Sequence, residues 1–478
     1  MSIDLSDQTA LELKQLYADG RASPVGATEA ALGRIRSHDP AVNAFSGVRE
    51  EDAMAQACRS EERWRREIPA GRLEGVPVAV KDVFNMRGWP NRKGSATTPA
   101  EPVGDDAPAV AVLKRHGAII TGRTTTPEFG WKATTDSALC GVTRNPWDPE
   151  RTPGGSSGGS GAAVALGMAP LALGTDAGGS VRIPASFCGV VGHKPTHELA
   201  PMWPPSIFAP LGHVGAIGWT VGDVTLLVAL LAEANWLDAT TPRPAEGLLA
   251  ALEDGVRGLR IAFAPTLGDV PVDREVAAAV AEAADVFEEM GALVEMADPD
   301  IGDRSETFHR LYASGAANAL RDHSPEERKD MDPGLVALVE EAQGWSMLDY
   351  LAAMNDRMSL IDHMEGFHRR YDLLLTPTVP IPPFEAGRDV PEDWPKDRWT
   401  SWTPFTWPFN LTGQPAISVP CGFTQEGLPV GLQIVGPRQA DRRVLAAGHS
   451  FQSARPLTGH RPPMFGPRVE HGLGASRR

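Results

Sequence analysis

The chain has 478 residues, 42% hydrophobic and 22% charged, a globular composition long enough for a large buried core. Its formal net charge of −16 argues against a nucleic acid or an anionic membrane as partner, since clustered Lys and Arg supply affinity for both. No basic segment leads into an apolar run at the start, no stretch is apolar enough to span a membrane, and the four cysteines show no metal-type spacing. The expectation is a reduced, cytoplasmic protein with free thiols and no metal.

Residues 1–65 read as a helical segment packed on the core. Thr9 and Glu12 fit a capping box, and apolar positions recur at Leu11, Leu13 and Leu16, then at Ala31, Leu32 and Ile35. The run SHDPAVNAF is expected to separate two helical pieces. GVPVAVKD, ending at Asp82, is a short apolar, β-branched run that predicts a strand. PAVAVLKRHGAIITGRT and SGAAVALGMAPLALGTD each predict a helix and then a strand. GLRIAFAP, the Ala/Glu-rich stretch 273–290 and GALVEM predict strand, helix and strand. YDLLLTPT, PAISVPCGF and VGLQIVG predict late strands, the last two joined by a TQEGLP turn. The stretch from Pro380 to Trp407 reads as loop.

Strands alternating with helices predict an α/β fold around a largely parallel or mixed sheet. We expect one large domain over 66–455 and a loose Pro, Gly and Arg-rich tail over 456–478.

Two glycine clusters need a reason. PGGSSGGSG runs from Pro153 to Gly161, and GTDAGGSVRIP from Gly174 to Pro184. Neither carries the spacing of a dinucleotide or triphosphate loop. The second follows an apolar strand and presents the consecutive N–H groups of Gly178, Gly179 and Ser180, with a hydroxyl on the last. That pattern suits acyl transfer, in which a serine oxygen attacks a carbonyl beside N–H donors that stabilise the resulting anion. A serine needs a base. His193 and His197 are nearest in sequence, and both also read as ordinary loop histidines. Lys81 closes the strand of GVPVAVKD. It is either a strand-end charge reaching water or a buried amine whose lowered pKa makes it a base.

GVPVAVKD, PGGSSGGSGAAVA, GTDAGGSVRIPASFCGVVGHKPT and FNLTGQPAISVPCGF…GLPVGLQIVG together resemble the amidase signature family over essentially the whole chain. The resemblance implies a single α/β/α domain, a central mixed β-sheet surrounded by helices, and a cofactor-free Ser–cisSer–Lys triad. By position Ser180 matches the nucleophile, Ser156 the bridging serine and Lys81 the base. The N–H groups of Ala177, Gly178, Gly179 and Ser180 match the oxyanion hole. The peptide bond before Ser156 is expected to be cis, with Gly154 and Gly155 making room for the turn. Ser157 and Thr175 are expected to support the triad, and Asp176 and Arg182 to fix the oxyanion loop. Cys188 is expected in the core.

The resemblance leaves the substrate open. The family includes amidases, aryl acylamidases, urethane and oligoamide hydrolases, and the glutaminase component of tRNA-dependent amidotransferases. After GHKPT this chain departs from the last group's pattern, with Gly215-Ala216 and Trp219-Thr220 where that group carries Gly-Pro and Arg-Thr-Val. The departing segment is apolar (Met202, Trp203, Ile207, Phe208), as is the later run with Trp399, Trp402, Phe405, Trp407 and Phe409. Trp203, Ile207, Phe208, Trp402 and Phe405 are therefore candidate pocket residues, the alternative being core. The expected substrate is a small uncharged amide, anilide or carbamate, with ester cleavage as a side reaction. The alternative is a glutaminase-type component of an amidotransferase complex, catalytic only with its partners. A homodimer is the default assembly.

Overall fold

The computed structural model describes residues 3–233, 247–268, 270–457 and 459–465. Among the described residues thirteen strands occur in chain order: β1 Phe45–Val48, β2 Pro77–Lys81, β3 Ile119–Thr124, β4 Asp136–Ser137, β5 Gly141–Val142, β6 Leu171–Asp176, β7 Val191–Lys194, β8 His213–Gly218, β9 Arg260–Phe263, β10 Leu293–Met296, β11 Leu373–Pro377, β12 Ala416–Phe423 and β13 Pro429–Val435. Eleven of them form one sheet in the order β1-β3-β2-β6-β8-β7-β12-β13-β11-β9-β10, and β4 and β5 pair separately. Strands β3, β2 and β6 run parallel to one another, as do β11, β9 and β10. From β6 through β8, β7, β12 and β13 to β11 the pairing is antiparallel. The sheet is mixed, as expected, and helices cover it.

All five residues of β2 are buried, which is why it reads as a continuous apolar run instead of an alternation. Val78, Val80, Leu171 and Leu173 pack into one layer of the core, and Ala79 and Ala172 face the opposite layer. Small residues stand on that second face because the helix Gly158–Ala165 lies close to the sheet. A Cβ on Gly159 would stand 2.4 Å from Thr125 Oγ1. This close approach brings the chain just before the helix, Ser156 and Ser157, onto the carboxyl ends of β2 and β6.

The Thr9–Glu12 capping box forms at the start of the helix Ala10–Ala18. Tyr17 from that helix donates to the Gly75 carbonyl at 3.1 Å, holding the N-terminal segment on the domain. One helix ends inside the SHDPAVNAF run, past its proline, and the next begins beyond it. The helix Pro24–Val42 continues through Pro40 and stops at Asn43, whose φ of 53° is left-handed. Pro40 has no N–H to give to the carbonyl four residues back, so one helical bond is missing there, and just beyond the helix the Asp39 carboxylate takes up the N–H groups of Ala44 and Phe45. The tail is not loose where it is described. Phe465 is buried, its carbonyl accepts from Arg34 at 2.6 Å, and Arg461 pairs with Asp7. The rest of the tail, 466–478, lies outside the described residues. Strands β1, β7 and β8 and the helices Ser305–Ala319, Pro333–Gln343 and Met347–Phe367 go beyond the elements expected from the sequence. Among the described residues no helix is long and apolar enough to cross a membrane.

The loop 380–407 contains a short turn, Trp399–Trp402, and its aromatic residues do not ring a pocket. Trp402 and Phe405 are fully buried. The Trp402 ring stacks on Phe187 with centroids 5.9 Å apart, and its N–H donates to the Asp389 carbonyl at 3.0 Å. The expectation that these two line the substrate pocket is corrected: they build a second hydrophobic core, where their large apolar area counts most.

Candidate active site

Lys81 is the last residue of β2. Val80 pairs with Leu173 of β6, so the Lys81 side chain emerges beside Thr175 at the carboxyl end of two parallel strands, where open α/β sheets bind ligands. It does not reach water. Its exposure is 0%, and its amine donates to Ser156 Oγ at 2.7 Å, Ser157 Oγ at 3.0 Å and Thr175 Oγ1 at 3.0 Å. Burial in this position brings its pKa down to about 7, and the opposing pull of the Asp176 charge is the smaller effect. Near neutral pH much of Lys81 is therefore an uncharged amine surrounded by hydroxyls.

The glycines allow this crowding. Gly154 has a φ of 74°, and a Cβ on Gly155 would stand 2.2 Å from the Thr134 carbonyl. The Gly155–Ser156 peptide bond is cis. The Ser157 N–H donates to the Ser180 carbonyl at 3.1 Å, which ties the two glycine-rich segments together. Ser156 and Ser180 both line one cleft, with Thr175, Asp176 and Ala177 beside them.

The loop carrying Ser180 is held from below. Asp176 is fully buried and pairs with Arg182 through both oxygens, at 2.9 and 3.0 Å. Asp176 also accepts the N–H groups of Gly179 at 2.8 Å and Val181 at 3.1 Å. Arg182 and this ring of donors hold the Asp176 carboxyl well below the usual carboxylate range. The bond to Asp176 takes Gly179 out of the expected set of four oxyanion donors and leaves Ala177, Gly178 and Ser180. Arg182 further donates to the Thr406 carbonyl, Gln433 Oε1 and Asn410 Oδ1 at 2.7–2.9 Å. Thr406 Oγ1 donates to the Gly178 carbonyl at 2.7 Å. Thr406, Asn410 and Gln433 carry no signal of this role in the sequence, although Asn410 lies inside the FNLTGQPA run.

Neither candidate histidine reaches the cleft. His193 is buried against Asp441 at 3.2 Å, and His197 lies 3.4 Å from Glu198. Among the described residues no histidine lines the cleft. Cys188 is core, and burial pushes its thiol pKa up, away from reactivity.

About 800 Å³ of empty space lies in the cleft and its open mouth. Trp203, Ile207 and Phe208 line the cleft, and Trp402 and Phe405 do not. Phe84, Phe129 and Met202 add apolar wall, and Lys93 adds a charge; Phe84, Phe129 and Lys93 sit in sequence contexts that do not mark them as lining.

A family model described as Amidase matches residues 26–445. A glutamyl-tRNA(Gln) amidotransferase subunit of Myxococcus xanthus is 36% identical, covering 91% of this chain and 94% of its own length. An acylamidase of Rhodococcus erythropolis is 34% identical, covering 95% of this chain and 97% of its own length. The crystal structure of a bacterial aryl acylamidase of the amidase signature family superposes with a TM-score of 0.90 at 31% identity, covering 97% of this chain and 99% of that one.

Proposed function

Because the chain belongs to the amidase family and is an amide-hydrolysing enzyme acting on C–N bonds, we propose that it works through an acyl-enzyme on Ser180, with Ser156 and Lys81 as the proton relay. The observation that carries this reading is the buried Lys81 amine, close to neutral and within 3.0 Å of three hydroxyls. Uncharged Lys81 takes the proton of Ser156 as Ser156 takes that of Ser180. The Ser180 oxygen bonds to the substrate carbonyl carbon, and the carbonyl oxygen becomes an anion facing the N–H groups of Ala177, Gly178 and Ser180. The relay runs backwards to protonate the departing nitrogen as the C–N bond breaks. Water then attacks the acyl-enzyme, its proton entering the same relay, and the acid leaves. Asp176, Arg182 and Thr406 hold the donor loop. Ser157 and Thr175 hold Lys81.

The apolar wall of Trp203, Ile207 and Phe208 favours a small amide, anilide or carbamate with an apolar body, uncharged at the bond that is cut. The test is nitroaniline release from p-nitroacetanilide by the purified chain, with Ser180→Ala beside it. Release that disappears in the variant supports a self-sufficient serine amidase. No release, together with no fluorophosphonate adduct on Ser180, overturns the mechanism.

A second reading, the glutaminase-type component of an amidotransferase complex, has the 36% identical Myxococcus xanthus relative in its favour. It requires glutaminase activity that appears only when partner chains are added. Hydrolysis of anilides by the chain alone counts against it.

A further inference from the structure

One wall of the cleft carries a cation that the relay does not use. Lys93 lines the same space as Ser156 and Ser180 and is partly buried. Among the described residues its ammonium makes no hydrogen bond and no ion pair. The charged group acting on it is Asp82, which is itself buried and paired with Arg123 at 2.6 Å. Burial draws the Lys93 pKa below that of an ordinary lysine. With Lys81 near neutral and Asp176 matched by Arg182, Lys93 is left as an uncompensated charge of the lining.

The backbone presents this side chain from a constrained turn. Lys93 has a φ of 52° and Phe129 a φ of 53°, both in the left-handed region that side chains other than Asn, Asp and Gly seldom adopt. The two are tied by the Phe129 N–H donating to the Lys93 carbonyl at 2.7 Å. Gly94 closes the turn with a φ of 67°, and a Cβ there would stand 2.5 Å from the Thr126 carbonyl. Lys93 thus projects from a turn locked on both sides, in a conformation that glycine would adopt with less cost. Unfavourable backbone geometry beneath an unpartnered cation, in the wall of a reaction cleft, marks a place where a ligand supplies the missing charge.

We propose that Lys93 is a specificity-determining residue that receives a carboxylate borne by the substrate at a point other than the scissile carbonyl. The inference rests on the amidase reading above. It revises the expectation of an uncharged substrate: the preferred compound is an amide with an apolar body and one free carboxylate, on either the acyl or the amine side. The bond is a charge-assisted one, short and stronger than a neutral hydrogen bond.

The test has two arms. In the first, succinamate, glutaramate and adipamate compete with butyramide, pentanamide and hexanamide, which places the charge on the acyl side. In the second, N-acetyl-β-alanine and N-acetyl-γ-aminobutyrate compete with N-propyl- and N-butylacetamide, which places it on the amine side. In at least one arm the carboxylate is expected to raise kcat/KM by roughly 10- to 100-fold over its neutral partner. Lys93→Met should bring that ratio close to one, and Lys93→Arg should restore most of it. A ratio near one in both arms, or one unchanged in Lys93→Met, overturns the proposal. Equilibrium binding of the same carboxylates to the Ser180→Ala chain, read by calorimetry with and without Lys93→Met, reports on Lys93 without any turnover. Equal binding of charged and neutral compounds there also overturns it. Failure of the amidase reading shows itself separately, as the absence of a fluorophosphonate adduct on wild-type Ser180.

Discussion

Two lysines of this chain are wholly buried, and burial brings both down to about 7, yet they stand in different chemistry. Lys81, at the end of β2, donates to three hydroxyls and opens onto the cleft through Ser156. Lys194, at the end of β7, donates to the backbone carbonyls of Pro195 and Gln414 and lines no part of that cleft. A hydroxyl both accepts and donates, so a proton handed to it can be passed on. A carbonyl only accepts. The lowered pKa is common to both residues and cannot be what separates a base from a buried anchor. The partner atoms separate them, which is why a perturbed pKa marks a site only when geometry agrees.

The comparison breaks most sharply by removing each amine. Lys81→Met is expected to lower kcat on an anilide by roughly 100- to 10,000-fold, the range of positioned acid–base catalysis. Lys194→Met is expected to change kcat by less than about tenfold, since no proton passes through it. Comparable losses of kcat in the two variants, with both folded by circular dichroism, would erase the distinction.

The next effect is on pH. The base must be uncharged, so kcat/KM is expected to fall as pH drops through about 7, the value to which burial holds Lys81. The Lys194→Met variant should keep that limb in place. Stability follows both lysines. Each is held near 7 in the folded chain and sits at 10.5 ordinarily, so between these values the unfolded chain binds more protons. The lysines' own contribution to stability therefore rises with pH from about 7 to 10.5, each adding a slope of up to roughly 1.4 kcal/mol per pH unit, opposed above pH 9 by the buried thiols of Cys188 and Cys421, which stay protonated in the folded chain. Urea denaturation across that window should show Lys194→Met losing about half of the combined slope. A slope unchanged by the substitution would mean that Lys194 is not neutral in the folded state.

Sequence legibility divides along the same line. The strand ending in Lys81 and both glycine clusters are visible, because glycines crowd only where backbones meet closely or φ is positive, as at Gly154 and Gly179. Whether Lys81 reaches water is not visible. GVPVAVKD reads the same in either case, and the deciding hydroxyls arrive from residues 75 to 94 positions further along the chain. Lys194 draws no attention at all, since β7 is only four residues long and contains a glycine. Trp402 and Phe405 are misplaced for a related reason. An aromatic side chain is equally at home in a pocket and in a core, and the carbonyl that satisfies the Trp402 N–H belongs to Asp389 in an irregular stretch. The Gly179 N–H is assigned to substrate because nothing in the sequence says that the Asp176 carboxylate turns back to take it.

The smallest effect tests the partner argument itself. Thr175→Val removes one of the three hydroxyls around Lys81 and keeps the shape of the side chain. Ser156 and Ser157 still hold the amine, so kcat should fall by no more than about tenfold, the worth of one net hydrogen bond. The acid limb should also move. A hydroxyl oxygen accepts more strongly from an ammonium than from an amine, so its loss disfavours the charged form and carries the midpoint below 7, by up to about one unit. No equivalent hydroxyl contacts Lys194 among the described residues, so no such shift can be produced from that side. A limb that moves with Thr175 and ignores Lys194 identifies the titrating base as the lysine among the hydroxyls. A limb that stays fixed in Thr175→Val would assign the titration to another group and leave Lys81 as an anchor of the Lys194 kind.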